Sequence, residues 1–409
     1  MSPTKFRTGA CLAALLLMTA TIAYGELRIV NNPAGDGALA PALVEMPGDA
    51  GIVLSWLEKH DDEHAFRFSV FAEGRFSESR EIARGRDWFA NWADTPGIHV
   101  RSDGAWLAHW LEKSAESTYA YDVRMVHSPD GGKHWSRPQT PHTDGTPTEH
   151  GFVSYFTAGR GRTGMVWLDG RETLSEPGGE HEHAGFMTLR TASIGTDGTP
   201  GPERLIDDRV CDCCQTASAV TATGPIVAYR NRTEDEIRDI AVVRKTADGW
   251  TEPRLVHADG WKIGGCPVNG PSMIARDTRV IVAWFTLADG VPRVRFAISE
   301  DAGATFGEPI TRSAGSALGR VQLAWTRDGF VLAWMEETDG SARMRLAQYS
   351  PDGALQRDRI LARIDRGRIS GFPQIAVQGD QLLLAWTTAG DADENRRTRI
   401  MTGRLQLPE

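Results

Sequence analysis

The chain has 409 residues, 41% hydrophobic and 24% charged, with 43 Gly, 21 Pro and 13 Trp. This balance excludes disordered and collagen-like chains, and the many Gly and Pro favour short elements joined by turns. A net charge of −9 without a basic stripe excludes an electrostatic surface for nucleic acid.

In chain order, the first element is a targeting segment. Lys5 and Arg7 precede an apolar stretch from Ala10 to Met18, and Ala23-Tyr24-Gly25 has the small-x-small spacing of a cleavage site. A cleavable signal over residues 1–25 is expected, followed by one domain over 26–409 that is periplasmic or secreted. The stretch is too short to span a bilayer, and no later run approaches about 20 apolar residues, so no membrane span is expected. Losing Lys5 and Arg7 takes the charge from −9 to −11. Cys11 departs with the signal, which leaves Cys211, Cys213, Cys214 and Cys266 in a compartment that permits disulfides.

A short apolar strand, Glu26-Leu-Arg-Ile-Val30, comes next, and then a repeat begins. Seven apolar runs end in an aromatic residue: Trp56, Trp110, Trp167, Tyr229, Trp284, Trp334 and Trp386. Their spacings are 54, 57, 62, 55, 50 and 52 residues. A second apolar strand precedes each run, as in Pro373-Gln-Ile-Ala-Val377, and an alternating strand follows, as in Arg293-Val-Arg-Phe-Ala-Ile-Ser299. Alternation with period two marks half-buried strands, and four strands per unit of about 50 residues is a propeller blade. The expectation is an all-β, seven-bladed propeller of four-stranded antiparallel blades. The last unit stops soon after its third strand, so residues 26–30 should complete it and close the ring. The seven aromatics are then packing between blades.

Two turns share the pattern Ser-x-Asp-x-Gly-x-x-aromatic: Ser128-Pro-Asp130-Gly-Gly132-Lys-His-Trp135 and Ser299-Glu-Asp301-Ala-Gly303-Ala-Thr-Phe306. Looser relatives occur at Asp248-Gly249-Trp250 and Asp352-Gly353. This pattern resembles the Asp-box of sialidase-like (BNR-repeat) β-propellers. The resemblance implies a propeller whose Asp-boxes are structural and lie away from the active face. Sialidases of that family have six blades, which makes six the alternative count. They hold a carboxylate with three arginines and use an acidic acid/base and a Tyr–Glu nucleophile pair. The early Phe-Arg-Ile-Pro-type motif of that family has no counterpart near Asn31-Asn-Pro-Ala-Gly-Asp36, and Tyr229 occupies a core position of the repeat.

In a propeller, a site forms on the face reached by two sets of loops: those leading into each first strand and those joining strands two and three. The unusual residues of this chain concentrate there. Trp92, Asp94, Glu149, His150, Gln215, Asn269 and Arg320 lead into first strands, and Arg230 and Arg232 lie between second and third strands. In a polar pocket, Arg230, Arg232 and Arg320 would hold anionic groups, Trp92 would stack on a ring, and Asn269 and Gln215 would orient the ligand. Asp94 and Glu149 are the candidate acid and base. Blade-to-blade ion pairs and caps are the structural alternative. The four cysteines lead into two successive blades, as two disulfides or as a thiolate site for Cu or Zn that His150 could join. Otherwise no cofactor is expected. His60 and His64, and His181 and His183, are loop histidines for which exposure or metal binding are both open.

The expected function is recognition of a polar or anionic small molecule, above all a glycan, with glycoside hydrolase activity as its enzymatic form. Periplasmic metal handling by the cysteines and a scaffold that binds a protein partner are the alternatives.

Overall fold

The computed structural model describes residues 26–174, 185–389 and 397–407. Residues 1–25, expected to be a signal, and the His181–His183 pair lie outside them. The described chain is a seven-bladed propeller built almost wholly from antiparallel strands.

Each blade starts with an inner strand and works outward. Blade 1 opens with Ala38–Glu45, blade 2 with Gly97–Val100, blade 3 with His150–Thr157 and blade 4 with Ala217–Thr221. Blades 5, 6 and 7 open with Ser272–Arg276, Ala317–Thr326 and Gln374–Gln378. In blade 7 the order from the axis outward is Gln374–Gln378, Gln381–Ala389, Thr398–Gln406 and, last, Arg28–Val30. Arg28 pairs with Arg404 and Val30 with Thr402, so the N-terminal strand closes the ring. Asn32 secures the junction by donating to Ile400 O at 2.9 Å.

The second strands form the core. Trp56, Trp110, Trp167, Tyr229, Trp284, Trp334 and Trp386 are all buried. A buried indole still needs an acceptor. Four of these tryptophans find one two residues onward, on the same face of the strand. Trp56 donates to Glu58 at 3.0 Å, Trp110 to Glu112 at 3.4 Å, Trp167 to Asp169 at 2.8 Å and Trp334 to Glu336 at 2.9 Å. Trp284 uses Asp259 of the preceding blade at 2.6 Å.

The two Ser-x-Asp turns are built alike. Ser128 Oγ donates to Asp130 at 2.9 Å and accepts the Gly132 N–H at 2.9 Å; Ser299 repeats this with Asp301 and Gly303 at 2.8 and 2.9 Å. Both follow the third strand of their blade, and their aromatics, Trp135 and Phe306, pack into the core clusters.

Three inner strands carry a β-bulge near their start, with a non-glycine residue at positive φ: Ala40 at 54°, Phe152 at 53° and Arg320 at 53°. A bulge bends the strand and re-aims the groups beside it. At Phe152 and Arg320 it turns a backbone N–H toward the preceding blade.

Candidate active site and cysteine cluster

Those bulge amides are met by side chains from the loop of the blade before. Asp94 Oδ1 accepts the Phe152 N–H at 2.8 Å, and Asn269 Oδ1 accepts the Arg320 N–H at 2.8 Å. Gln215 forms a related bridge, accepting the Gly270 N–H at 3.0 Å and donating to Ala93 O at 2.9 Å. The approach is close. A Cβ on Gly151 would lie 1.9 Å from Asp94 Oδ2, and one on Gly319 would lie 2.2 Å from Asn269 Oδ1.

Asp94 has a second role that Asn269 lacks. Its loop is held by Asn91, whose side-chain oxygen accepts the Ala93 and Asp94 N–H groups at 2.8 and 3.3 Å. This turn sends Asp94 Oδ2 to the hydroxyl of Tyr121, 3.0 Å away. Tyr121 begins the third strand of blade 2 and stacks on Phe89, with ring centroids 4.1 Å apart. Its hydroxyl also lies 2.5 Å from Glu149 Oε1. The Tyr121 N–H is fixed to Thr148 O at 3.0 Å, so Glu149 is delivered beside the phenol by the backbone.

The proton count of this array decides its chemistry. A phenol has one proton to give. It donates to one carboxylate and accepts from the other, which must then be protonated. Burial pushes the Asp94 carboxyl up to about 7, against the lowering pull of the Phe152 N–H and Tyr121. Burial, with the nearby Asp94 charge, pushes Glu149 up to about 8. Burial, with both acids beside it, holds the Tyr121 phenol well above its usual range. Two acids sharing one site titrate as a unit that retains a proton near neutrality.

The array opens into a cavity of about 500 Å³ whose wall includes Trp92, Tyr119, Asp212, Cys213, Cys266 and Arg368. On its other side Asp94 faces the axial channel, about 560 Å³, lined by the inner strands. Tyr119 is 61% exposed at the cavity rim. Trp92 is already covered: Phe372 stacks on it at 5.9 Å, and the guanidinium groups of Arg320 and Arg368 lie 5.0 and 5.8 Å from its ring.

Several residues expected to face a ligand face the protein instead. Arg230 is 2% exposed and gives its N–H groups to the carbonyls of Asn269, Arg238 and Phe285. Arg320 donates to Ser370 at 2.7 Å and Gly371 O at 2.6 Å, and burial pulls its pKa down to about 10. Arg232 is paired with Asp212 and Glu236 at 3.0 and 2.6 Å, on the wall of an adjoining cavity of about 560 Å³. Asn269 and Gln215 are blade clamps. His150 is fully buried and stacks on His142 at 3.9 Å, its ring nitrogens facing Asp144 and Asp122 at 3.2 and 3.6 Å. Arg171 lies across Asp144, Asp169 and Glu203 at 3.1, 2.7 and 2.6 Å, so the carboxylates around His150 already have a cation. His60 is paired with Glu58 at 2.9 Å. Asp94 and Glu149 thus share a site, while His150, Arg230 and Arg320 lie behind its walls. Tyr121 joins the two acids and escaped the sequence reading. The rule that strands two and three meet at the rim would have found it, applied to the loop of residues 114–120.

The cysteines converge. Cys211 and Cys214 are buried, Cys213 is half-buried and Cys266 is exposed; all four are thiols. The sulfurs of Cys211, Cys213 and Cys214 lie within 4.8 Å of one another, with Cys211 and Cys214 at 3.3 Å. Cys213 also meets the Cys266 thiol. Burial opposes ionisation of Cys211, yet hydrogen bonds from Cys213 and Cys214 and the charge of Arg230 bring it well below the usual thiol range.

No family model and no curated protein sequence matches the chain. Solved structures do share its fold. NanB with Optactamide is 8% identical, with 94% of this chain and 92% of that one aligned at a TM-score of 0.50. A puromycin-hydrolyzing peptidase of Mycobacterium tuberculosis is 13% identical at a TM-score of 0.50, over 95% of this chain but only 57% of its own length. The α-L-arabinanase of Penicillium chrysogenum with arabinobiose is 12% identical over 94% of this chain and 98% of that one, at a TM-score of 0.49. At such identities the two likenesses at 0.50 define the class of fold, a β-propeller, and leave activity to the site.

Proposed function

We propose that this protein is an exported propeller that binds a glycan in the cavity beside Asp94 and hydrolyses a glycosidic bond there. One observation carries the reading: a single phenol hydrogen-bonded to two carboxyl groups at the floor of an open cavity. Neither packing nor blade closure requires this, because Asn269 clamps its bulge with an amide.

The array divides into roles. Glu149 keeps its proton near neutrality and borders the cavity, so it protonates the leaving oxygen. The Tyr121 oxygen attacks the anomeric carbon as its proton passes to Asp94. Water then cleaves the glycosyl–tyrosine bond with Glu149, now ionised, as base, and Asp94 returns the proton to Tyr121. The two acid oxygens are each bonded to the same phenol, so they are less than 5.5 Å apart. Both acids are thus in reach of the phenol, one to take its proton and one to serve the leaving group. Tyr119 offers a ring face to a sugar, and Arg368 offers a guanidinium to an anionic substituent. The paired Ser-x-Asp turns and the Tyr–Glu pair support kinship with sialidase-like propellers.

Fluorogenic sialosides and arabinofuranosides test the reading. The protein should turn over at least one of them. Asp94→Asn, which keeps the Phe152 clamp, and Tyr121→Phe should each lower kcat by about 100-fold or more. Absence of turnover and of glycan binding, or turnover indifferent to both substitutions, would remove the proposal.

A further inference from the structure

We infer that Cys211, Cys213 and Cys214 form a three-sulfur site for a soft monovalent cation, Cu(I), loaded from the cavity past Cys266. The inference goes beyond the glycan reading and does not depend on it.

The spacing is the first argument. A metal–sulfur bond of about 2.3 Å in a trigonal plane places the sulfurs about 4 Å apart. Here the three sulfurs lie within 4.8 Å of one another, and the Cys211–Cys214 pair at 3.3 Å needs only a small opening. Two disulfides, Cys211–Cys214 and Cys213–Cys266, are the competing use of these sulfurs, and fewer than three free thiols in the protein as isolated, before reduction, would overturn the inference. Soft thiolates without imidazole or carboxylate in the group select Cu(I) over harder ions.

Charge is the second argument. Arg230 is a buried cation, and among the described residues no carboxylate lies within ion-pair reach of it. An unpaired buried charge is costly. Arg232 and Arg238 are matched by Asp212 and Glu236, which leaves Arg230 over. The Cys211 N–H donates to Arg230 O at 2.9 Å, so the strand that carries this cation borders the cluster. Cu(I) held by three thiolates, with any remaining thiol protons released to solvent, is a group of charge −2, an anion beside this cation. Arg238 Nη1 lies 3.4 Å from Cys211 Sγ and orients that sulfur.

Access is the third. Cys213 and Cys266 both line the cavity, while Cys211 and Cys214 lie behind them. Cys266 follows Gly264 and Gly265, around which a Cβ would meet nothing within 4 Å. That loop has room to carry a ligating sulfur from solvent to Cys213.

The test is a Cu(I) titration of the anaerobically reduced protein in competition with bicinchoninate. One Cu(I) per chain should resist the competitor and give a new ultraviolet thiolate-to-copper absorption. Cys213→Ser should weaken retention by on the order of 100-fold, and Cys266→Ser should slow loading with little change in affinity. If substitution of buried Cys211 or Cys214 prevents folding, the Cys213 and Cys266 variants still decide, with thermal unfolding as the control. No uptake, uptake fully reversed by bicinchoninate, or retention unchanged in Cys213→Ser would overturn the inference. Glycoside turnover does not enter the readout, so its failure and this one are separable.

Discussion

Asp94 and Asn269 occupy equivalent places in blades 2 and 5. Each accepts the N–H of a residue at positive φ in the next blade, at 2.8 Å, and each is crowded by the glycine before that residue. An amide fulfils this structural duty. Where the position carries a carboxylate instead, a phenol and a second acid gather around it, and that difference sets this junction apart from the one at Asn269.

The Asp94–Tyr121–Glu149 array should make stability fall as pH rises. Both acids ionise less readily when folded, at about 7 and about 8, than the usual carboxylate does. The folded chain therefore holds protons that the unfolded chain has released. That contribution is full below the ordinary carboxylate range and is lost as pH climbs to about 8. The melting temperature of the wild type should drop between about pH 5 and about pH 8.5, more steeply than that of Asp94→Asn/Glu149→Gln. Parallel slopes would show that the pair ionises normally.

Gly151→Ala should damage the site without replacing a reactive group. Its Cβ would overlap Asp94 Oδ2, forcing the carboxylate off the Phe152 N–H and away from Tyr121. Overpacking of this kind costs about 1–3 kcal/mol. Urea unfolding should report that loss, together with turnover as low as in Asp94→Asn.

Glu336 is an acid whose loss should be costly to the core. It accepts from Trp334 and Ser313 at 2.9 and 2.6 Å and faces Arg345 and Arg343 at 3.4 and 3.5 Å. Glu336→Ala leaves the buried Trp334 indole and Ser313 hydroxyl without an acceptor, at a cost of about 1–3 kcal/mol each, while Arg345 keeps Asp358. Glu336→Gln keeps the acceptor and should cost less. Although burial opposes ionisation of this carboxyl, its hydrogen bonds and the arginines hold its pKa below the usual value, so its contribution disappears as pH falls through that value. Glu336→Gln should accordingly flatten the acid side of the pH–stability profile; an unchanged acid limb would refute the assignment.

Ring closure is testable at its seam. Asn32→Ala removes the donor to Ile400 O and Thr402 Oγ1. About 1 kcal/mol should be lost for these bonds. Deleting residues 26–30 should do far more, because it exposes the whole edge of Thr398–Gln406. Limited proteolysis should then cut blade 7 first; cleavage elsewhere would show that the seam does not hold the ring.

Blade number and closure were legible because both rest on periodicity. The aromatic at the end of each second strand repeats at nearly fixed spacing, and the surplus strand at residues 26–30 has one vacancy to fill. The rim rule also brought Asp94, Glu149 and the cysteines to one neighbourhood. It failed for Arg230, Asn269 and Gln215, because polar side chains that face a cavity and those that face a neighbour's backbone look alike in sequence. Their direction is set by bulges such as Gly319-Arg320, whose positive φ on an arginine no propensity predicts. The Trp-x-acid pairs at Trp56, Trp110, Trp167 and Trp334 were readable, since residues two apart share a strand face, and they went unread.

The seam at Arg28–Val30 has a kinetic side. It joins partners more than 370 residues apart, as Thr402 Oγ1 and Val30 O show. The entropy of so long a loop grows only with the logarithm of its length, about 0.6 kcal/mol per doubling, so the obstacle is time more than free energy. Pairing of this range forms late, and until it forms the last blade shows an unsatisfied edge. In that interval a second molecule can lend its own terminal strand. Refolding at high concentration should therefore trap exchanged dimers, in which each ring is finished by its neighbour's first strand.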